Sequence, residues 1–155
     1  MDALEVNLTR RSIRRYKKQT VPYGEIEGLI RAGMAAPSAN NQQPWHFVVI
    51  DDNSILDEIP KFHPYSQMLR EASAAVLVCG DTGLDRGGGM WVQDCAAATE
   101  NILLAAHAKG IGAVWLGVFP REERYLTIRE MLGMPENVVP FSIVSLGFPA
   151  EQKAA

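Results

Sequence analysis

Basic side chains crowd into one short stretch near the N-terminus. Six of the 15 Lys and Arg residues fall in nine positions without an acid between them, at Arg10, Arg11, Arg14, Arg15, Lys17 and Lys18. Guanidinium groups form paired hydrogen bonds to phosphate oxygens, and the Ser12 hydroxyl adds another donor, so the stretch suits a phosphate monoester. It also suits a solvated or interface surface. An extended nucleic-acid footprint is disfavoured because the rest of the chain is acidic and the pI is about 5.6.

A second group of polar residues occupies a loop stiffened by two prolines. It runs from Ala36 to Trp45 and includes Pro37, Ser38, Ala39, Asn41 and Gln43. Its hydroxyl and amide groups can pair with the edge of a heterocycle. The alternative is an ordinary connection between a helix and a strand, since Ser and Asn are common turn residues.

A third candidate is a short apolar strand with glycines at both ends, in the stretch 110–120. Gly117 permits close approach of the backbone to a flat ligand, and free N–H groups at the strand end could donate to it. The alternative is a strand bounded by turns. Gly110 and Gly112 lack the rest of a dinucleotide-binding fingerprint, so they imply no Rossmann fold.

The elements that position these residues alternate between helices and short strands. Apolar spacing and stop signals predict a short N-terminal helix carrying Leu4 and Leu8, then a longer one from Pro22 that carries Met34. Two further helices are predicted over Met90–Lys109 and Glu122–Leu132. Runs rich in Val, Ile and aromatic residues predict buried strands at His46–Ile50, Ala74–Cys79, Ala113–Leu116 and Phe141–Leu146. The sequence therefore predicts one α+β domain over residues 1–155, with helices flanking a mixed or antiparallel sheet.

Composition narrows the class of protein further. With 47% hydrophobic and 21% charged residues, the chain resembles an ordinary globular protein. We find no apolar run long enough for a membrane span and no signal peptide, and these two observations predict a cytoplasmic location. Cys79 and Cys95 lack the spacing of a disulfide scaffold or zinc site, and we expect them to be buried. We also expect His46, His63 and His107 to be packed or hydrogen-bonded rather than catalytic. No triad or carboxylate pair is present, so no catalytic side chain is predicted.

Taken together, the three stretches resemble the nitroreductase family of FMN-dependent oxidoreductases, particularly its short members. The resemblance runs from Leu8 to Pro149. The stretch 9–14 is similar to the family's phosphate-binding signature and 36–45 to its flavin-edge loop. The long apolar helix, the strand ending Trp115-Leu116-Gly117 and the stretch 145–149 follow in the family's order and spacing.

The resemblance implies a homodimer with two FMN sites at the interface. Arg10, Arg11, Ser12 and Arg14 would hold the FMN phosphate and ribityl chain. Pro37, Ser38, Ala39, Asn41 and Gln43 would come from the other subunit toward the isoalloxazine ring. The backbone of Trp115, Leu116, Gly117 and Val118 would face the reactive N5 side.

The implied activity is hydride transfer from NADH or NADPH to a nitroaromatic, quinone or related small-molecule acceptor by a ping-pong mechanism, without a metal, nucleic acid or membrane partner. Two alternatives are a flavin-binding storage or sensing module and a flavin-fragmenting or dehalogenating branch of the family. The sequence departs from many relatives in two places. Many relatives carry a further basic residue for the phosphate at the C-terminus, whereas this chain ends Glu151-Gln152-Lys153-Ala154-Ala155, which leaves Lys153 as the candidate substitute. The loop between Gly80 and Met90 is also short.

Overall fold

The computed structural model describes residues 1–154 and contains five α-helices and one four-stranded sheet within that range. The elements in chain order are α1 (Ala3–Thr9), α2 (Tyr23–Met34), β1 (Trp45–Ile50), α3 (Asn53–Glu58), β2 (Ala74–Asp81), α4 (Trp91–Ala108), β3 (Gly112–Gly117), α5 (Glu122–Met131) and β4 (Val138–Gly147). Short 3₁₀ turns occupy Ala39–Asn41, Ile59–Lys61 and Gln67–Arg70.

The strand order is β1-β2-β4-β3, and every neighbouring pair is antiparallel. The predicted α+β class is confirmed, and the sheet is antiparallel rather than mixed. β1 and β3 are the two edge strands. Because β1 starts opposite the end of β2, and β3 ends opposite the start of β4, the start of β1 and the end of β3 lie at the same end of the sheet on opposite edges.

Each face of the sheet packs against its own set of helices. Side chains alternate along β2, so that Val76 and Val78 join α2 and α4 in one core, while Leu77 and Cys79 join α3, α5 and the 3₁₀ turns in the other. β2 and β4 are buried along almost their whole length. Two covered faces explain why these strands read as continuous apolar runs rather than alternating ones.

The predicted helices and strands are confirmed, with ends that agree or differ by at most three residues. α3 and the 3₁₀ turns were missed because each is too short to show helical periodicity. Met34, predicted on the apolar face of α2, is instead exposed. Within the described part of the chain, none of the helices combines the length and the apolar character that crossing a membrane requires.

Two glycines at sheet ends give a matched test of backbone packing. A Cβ on Gly147 would lie 2.7 Å from atoms of the Tyr16 ring, whereas a Cβ on Gly117 would meet nothing within 4 Å. Gly147→Ala is therefore expected to lower the free energy of unfolding by about 1–3 kcal/mol, and Gly117→Ala to change it by less than about 1 kcal/mol. Urea unfolding of the two variants measures both; equal stabilities would contradict the packing of Tyr16 on β4.

Candidate active site

The basic N-terminal stretch lies against the free edge of β3. The backbone N–H of Ile13 donates to the carbonyl of Ala113 at 3.0 Å, which covers the first half of that edge. The contact requires a glycine at position 112, since a Cβ there would lie 2.8 Å from the Ile13 side chain. The sequence-predicted phosphate stretch and the sequence-predicted strand end are thus brought together along one strand.

A cleft of about 480 Å³ opens on the second half of the β3 edge. It brings four of the predicted site residues together, namely Arg14, Trp115, Leu116 and Gly117. The opposite wall is the stretch from His63 to Met68, which sequence reasoning left out of the site. At Gly117 the position of an added Cβ is open space, so a flat ligand could approach the backbone there.

The sheet register decides which backbone groups of β3 face this cleft. Val118 donates its N–H to the carbonyl of Phe141 on β4, at 3.2 Å. Along an antiparallel strand, the backbone N–H and C=O groups of successive residues point alternately toward the paired strand and away from it. Leu116, two residues before Val118, therefore also turns its N–H toward β4, whereas Trp115 and Gly117 turn theirs outward. The expectation that the backbone N–H groups over Leu116–Val118 face a ligand is corrected accordingly: within that range, only the Gly117 N–H points outward.

The Gly117 carbonyl accepts two hydrogen bonds from outside the sheet. His63 Nε2 and Arg124 Nη1 each lie 2.8 Å from it. The backbone N–H of Tyr65 donates to His63 Nδ1 at 3.3 Å, so Nε2 carries the ring proton and donates. The Arg124 guanidinium lies 5.7 Å from the centre of the Tyr65 ring, a cation–π distance. The expectation that His63 is packed and hydrogen-bonded is confirmed.

His63 gives the stability of the protein a defined pH dependence. The residue is 1% exposed, and its burial lowers its pKa from the ordinary 6.5. Below pH 6.5 the unfolded chain therefore binds more protons at this position than the folded chain, and stability is lost as the pH falls. We expect the stability advantage of the unmodified protein over His63→Gln to shrink between about pH 7.5 and about pH 5.5 in urea titrations. A constant difference would contradict this assignment.

The C-terminal residues fold back onto the basic stretch. Lys153 Nζ donates to the carbonyl of Ser12 at 2.7 Å, and Arg11 Nε donates to the carbonyl of Ala154 at 2.9 Å. Glu151 Oε1 accepts the backbone N–H of Arg14 at 2.6 Å, and that hydrogen bond lowers the pKa of Glu151. Lys153 thus lies beside the predicted phosphate site.

Arg10 lies on the α4 side of the same stretch. Its Nε is 3.6 Å from Glu100 Oε1, and its side chain is about one quarter exposed. Next to it, Thr9 hydrogen-bonds His107 at 2.9 Å, which confirms the expectation for that histidine. Within this stretch, Arg14 lines the cleft, and Arg10 lies four residues earlier beside α4.

The flavin-edge loop predicted over 36–45 lies at the opposite edge of the sheet. It leads into β1, three strand spacings from β3, or roughly 14 Å at about 4.8 Å per strand. The structure therefore does not bring Pro37, Ser38, Ala39, Asn41 and Gln43 into the cleft of the same chain.

The loop is nevertheless held in one shape. Ser38 Oγ accepts the N–H of Gln43 at 3.0 Å, and Gln43 Nε2 donates to Asn41 Oδ1 at 2.9 Å. Asn40, Asn41 and Gln43 have positive φ angles, which non-glycine residues adopt at a cost. Asp94 at the start of α4 is 4% exposed and accepts the Ala39 N–H at 2.9 Å through Oδ1. These hydrogen bonds hold the loop in one conformation within its own chain.

The remaining histidine, the two cysteines and Trp91 are packed or hydrogen-bonded within the fold. His46 Nε2 lies 3.1 Å from Asp81 Oδ2 at the surface, as expected of a hydrogen-bonded histidine. Cys79 and Cys95 are buried and unbridged, and burial raises the pKa of each thiol to about 12. Neither is a thiolate nucleophile at neutral pH. The Trp91 side chain is buried in the core, where it packs on Gly80.

Large apolar side chains remain exposed on the first two helices. Leu4 and Leu8, one helical turn apart on α1, are 68% and 63% exposed. Tyr23 and Met34 at the two ends of α2 are also exposed. Exposed leucines at i, i+4 spacing form an apolar stripe of the kind that packs against another surface.

Comparison with known proteins identifies the class to which this site belongs. The family model described as Nitroreductase family matches residues 8–79 and 63–148. A protein from Archaeoglobus fulgidus named "Putative NADH dehydrogenase/NAD(P)H nitroreductase" is 53% identical over 153 residues, which is 98% of this chain and 88% of that protein. The chain belongs to the nitroreductase family, which confirms the resemblance drawn from its motifs.

Solved structures agree with this assignment. A protein from Parabacteroides distasonis described as a "Putative NADH dehydrogenase/NAD(P)H nitroreductase" superposes with a TM-score of 0.94 at 40% identity, covering 97% of this chain and 89% of that one. A protein from Desulfovibrio desulfuricans described as "a putative nitroreductase in complex with fmn" gives a TM-score of 0.90 at 31% identity over 100% of this chain and 91% of that one. The nitroreductase fold predicted from the sequence is confirmed.

Proposed function

We propose that this chain is an FMN-dependent oxidoreductase that takes hydride from NAD(P)H and reduces nitroaromatic, quinone or related acceptors. The printed name of the Archaeoglobus relative supports the NAD(P)H part, and the FMN complex of the Desulfovibrio protein supports the cofactor. When bound, FMN supplies the hydride chemistry, alternating between oxidised and reduced forms in a ping-pong cycle. The residues of the protein then have to bind the flavin, orient it and shield it from water.

The observation that carries the proposal is the cleft on the β3 edge. It combines an outward Gly117 N–H with open space at the missing Cβ of Gly117. These groups suit a flat heterocycle that accepts a hydrogen bond from the backbone. Arg14 lines the cleft and belongs to the basic stretch that also holds Arg10 and Ser12, and these three side chains suit the phosphate end of the same ligand. The residues present therefore fit FMN.

We further propose a homodimer in which the loop of one subunit completes the flavin-binding site of the other. The stretch 37–43 has a fixed conformation but lies at the sheet edge opposite the cleft of its own chain. We therefore propose that the loop of a second copy of the chain forms the missing wall of the flavin site. The exposed leucines of α1 offer the apolar surface for association. A dimer of this kind buries the stripe and assembles two sites at once.

A binding titration tests the proposal. The flavin-free protein is expected to bind FMN more tightly than riboflavin, measured by quenching of flavin fluorescence. Gly117→Val places a branched side chain in the open space beside the backbone and is expected to weaken FMN by about tenfold or more, the equivalent of about 1.4 kcal/mol. Gly24→Val, an exposed site on α2 with equal room for a side chain, serves as the control. Failure of the unmodified protein to bind FMN would contradict the proposal.

A further inference from the structure

The backbone conformation of the flavin-edge loop is unfavourable by itself. The φ angles of Asn40, Asn41 and Gln43 lie between 48° and 52°, in the left-handed region that residues other than glycine rarely adopt. Such a conformation persists where the surrounding structure holds it. Hydrogen bonds within the loop fix its internal turn, but its position on the subunit requires contacts from outside the loop.

Two side-chain anchors supply these outside contacts. Asp94 Oδ1, in the first turn of α4, accepts the backbone N–H of Ala39 at 2.9 Å. At the other end of the 3₁₀ turn, Gln42 Oε1 accepts the N–H of Arg86 at 2.6 Å, and Gln42 Nε2 donates to Asp85 Oδ1 at 3.2 Å. The loop is therefore tied both to α4 and to the segment that leads into α4.

The Asp94 contact holds the peptide group on which the turn is built. The Ala39 N–H and the Ser38 carbonyl belong to one peptide group; Asp94 accepts from its N–H, and the N–H of Asn41 donates to its carbonyl at 3.0 Å. The orientation of this peptide group is thus fixed relative to α4. The Asp94 side chain is buried, and within residues 1–154 its Oδ2 has no hydrogen-bond partner. Because burying such an oxygen is unfavourable, the bond to the loop accounts for a carboxyl group at this position.

We infer that Asp94 and Gln42 are positioning residues that hold the flavin-edge loop in place for the flavin bound by the partner subunit. The inference rests on the proposed function, because it requires the loop to complete the site of a second copy of the chain. Both residues act through the loop and need not touch the flavin. Replacing either one therefore damages the site of the partner and leaves the cleft of its own chain intact.

Substitution of the anchors is expected to affect the ring end of the ligand. Asp94→Leu and Gln42→Leu are each expected to weaken FMN and riboflavin by the same factor, on the order of tenfold, because the ring is common to both ligands. Asp94→Asn keeps an oxygen acceptor and is expected to stay within about threefold of the unmodified protein. Gln93→Leu is the matched control, since Gln93 is the exposed neighbour of Asp94 on α4, and we expect it to change neither affinity.

Two heterodimers, purified with a different affinity tag on each subunit, separate action on the partner from damage to the same subunit. The first pairs an Asp94→Leu chain with a Gly117→Val chain, so that an intact cleft meets an intact loop, and we expect one FMN per dimer bound with unmodified affinity. The second pairs a chain carrying both substitutions with an unmodified chain, and we expect no site of unmodified affinity. The reverse pattern, or loss of both sites in the first heterodimer, would overturn the inference.

The same heterodimers built with Gln42→Leu do not depend on replacing a fully buried residue. The Gln42 side chain is only partly buried, so its replacement is expected to leave the core intact. We expect the same two stoichiometries as with Asp94→Leu. A Gln42→Leu protein that binds FMN with unmodified affinity would remove Gln42 from the assignment.

Hydrogen exchange in the flavin-free protein separates the anchor from the cofactor assignment. The Ala39 amide is expected to exchange about tenfold faster or more in Asp94→Leu, and at the unmodified rate in Gln93→Leu. Unchanged exchange in Asp94→Leu would overturn the anchor. Failure of the unmodified protein to bind FMN, with exchange as expected, would overturn the proposed function and leave the anchor as a structural device.

Discussion

Replacing Arg10 and Arg14 together with alanine is expected to weaken FMN binding by about 10²–10⁴-fold. Each guanidinium is expected to contribute a charged hydrogen bond to the phosphate, worth about 1.5–3 kcal/mol; Arg14 lines the cleft and Arg10 belongs to the same basic stretch. Riboflavin lacks the phosphate, so its affinity is expected to fall far less. Isothermal titration of both ligands into the flavin-free variant measures the difference.

Arg15 supplies the matched control for this variant. It follows Arg14 in the chain, its side chain is 72% exposed, and its partner Glu71 is 4.0 Å away. Arg15→Ala is expected to leave FMN affinity within about twofold, since an exposed pair this long contributes little. Equal losses in Arg15→Ala and in the double variant would show that general positive charge, and not the Arg10 and Arg14 side chains, attracts the ligand.

The second large effect is expected at the apolar stripe of α1. Leu4→Glu combined with Leu8→Glu places two carboxylates where the proposed partner subunit packs, and we expect the chain to sediment as a monomer. If the loop 37–43 acts across the interface, the same variant loses FMN although its own arginines and β3 are intact. Sedimentation velocity and an FMN titration on one preparation measure both outcomes.

Leu126→Glu is the control for introducing a carboxylate at an exposed leucine outside the proposed interface. Leu126 is also exposed, but it lies on α5, at the other face of the sheet. This variant is expected to remain dimeric and to keep its flavin. A monomeric Leu4→Glu, Leu8→Glu variant that binds FMN normally would refute the trans contribution of the loop while leaving the cleft assignment standing.

The parts of the fold that could be predicted are those with a local cause. Helix α4 is marked by apolar spacing and ends before Gly110, which has a positive φ; α5 ends before Gly133 for the same reason. A local signal for α3 was also present, since the Asp52 side chain accepts the N–H of Ser54 at 2.8 Å as an N-cap. The six-residue length of the helix hid it from a periodicity argument.

The parts of the site that could not be predicted depend on contacts between distant residues. His63 reaches Gly117 across 54 positions in the chain, and nothing near His63 in the sequence indicates that contact. The N–H directions of Leu116, Gly117 and Val118 follow from the pairing of β3 with β4, which the sequence leaves open. Lys153 likewise meets Ser12 across 141 positions, through the return of the C-terminal residues.

The most direct test of the account is anaerobic reduction of the FMN-loaded protein. We expect addition of NADH or NADPH to bleach the absorbance of the oxidised flavin, and a quinone or nitroaromatic acceptor to restore it, with parallel lines in double-reciprocal steady-state plots. His46→Ala and His107→Ala are expected to keep the reduction rate within about tenfold, because losing a general acid or base costs roughly 10²–10⁴-fold. A bound flavin that dithionite reduces but neither nicotinamide does would contradict the central claim.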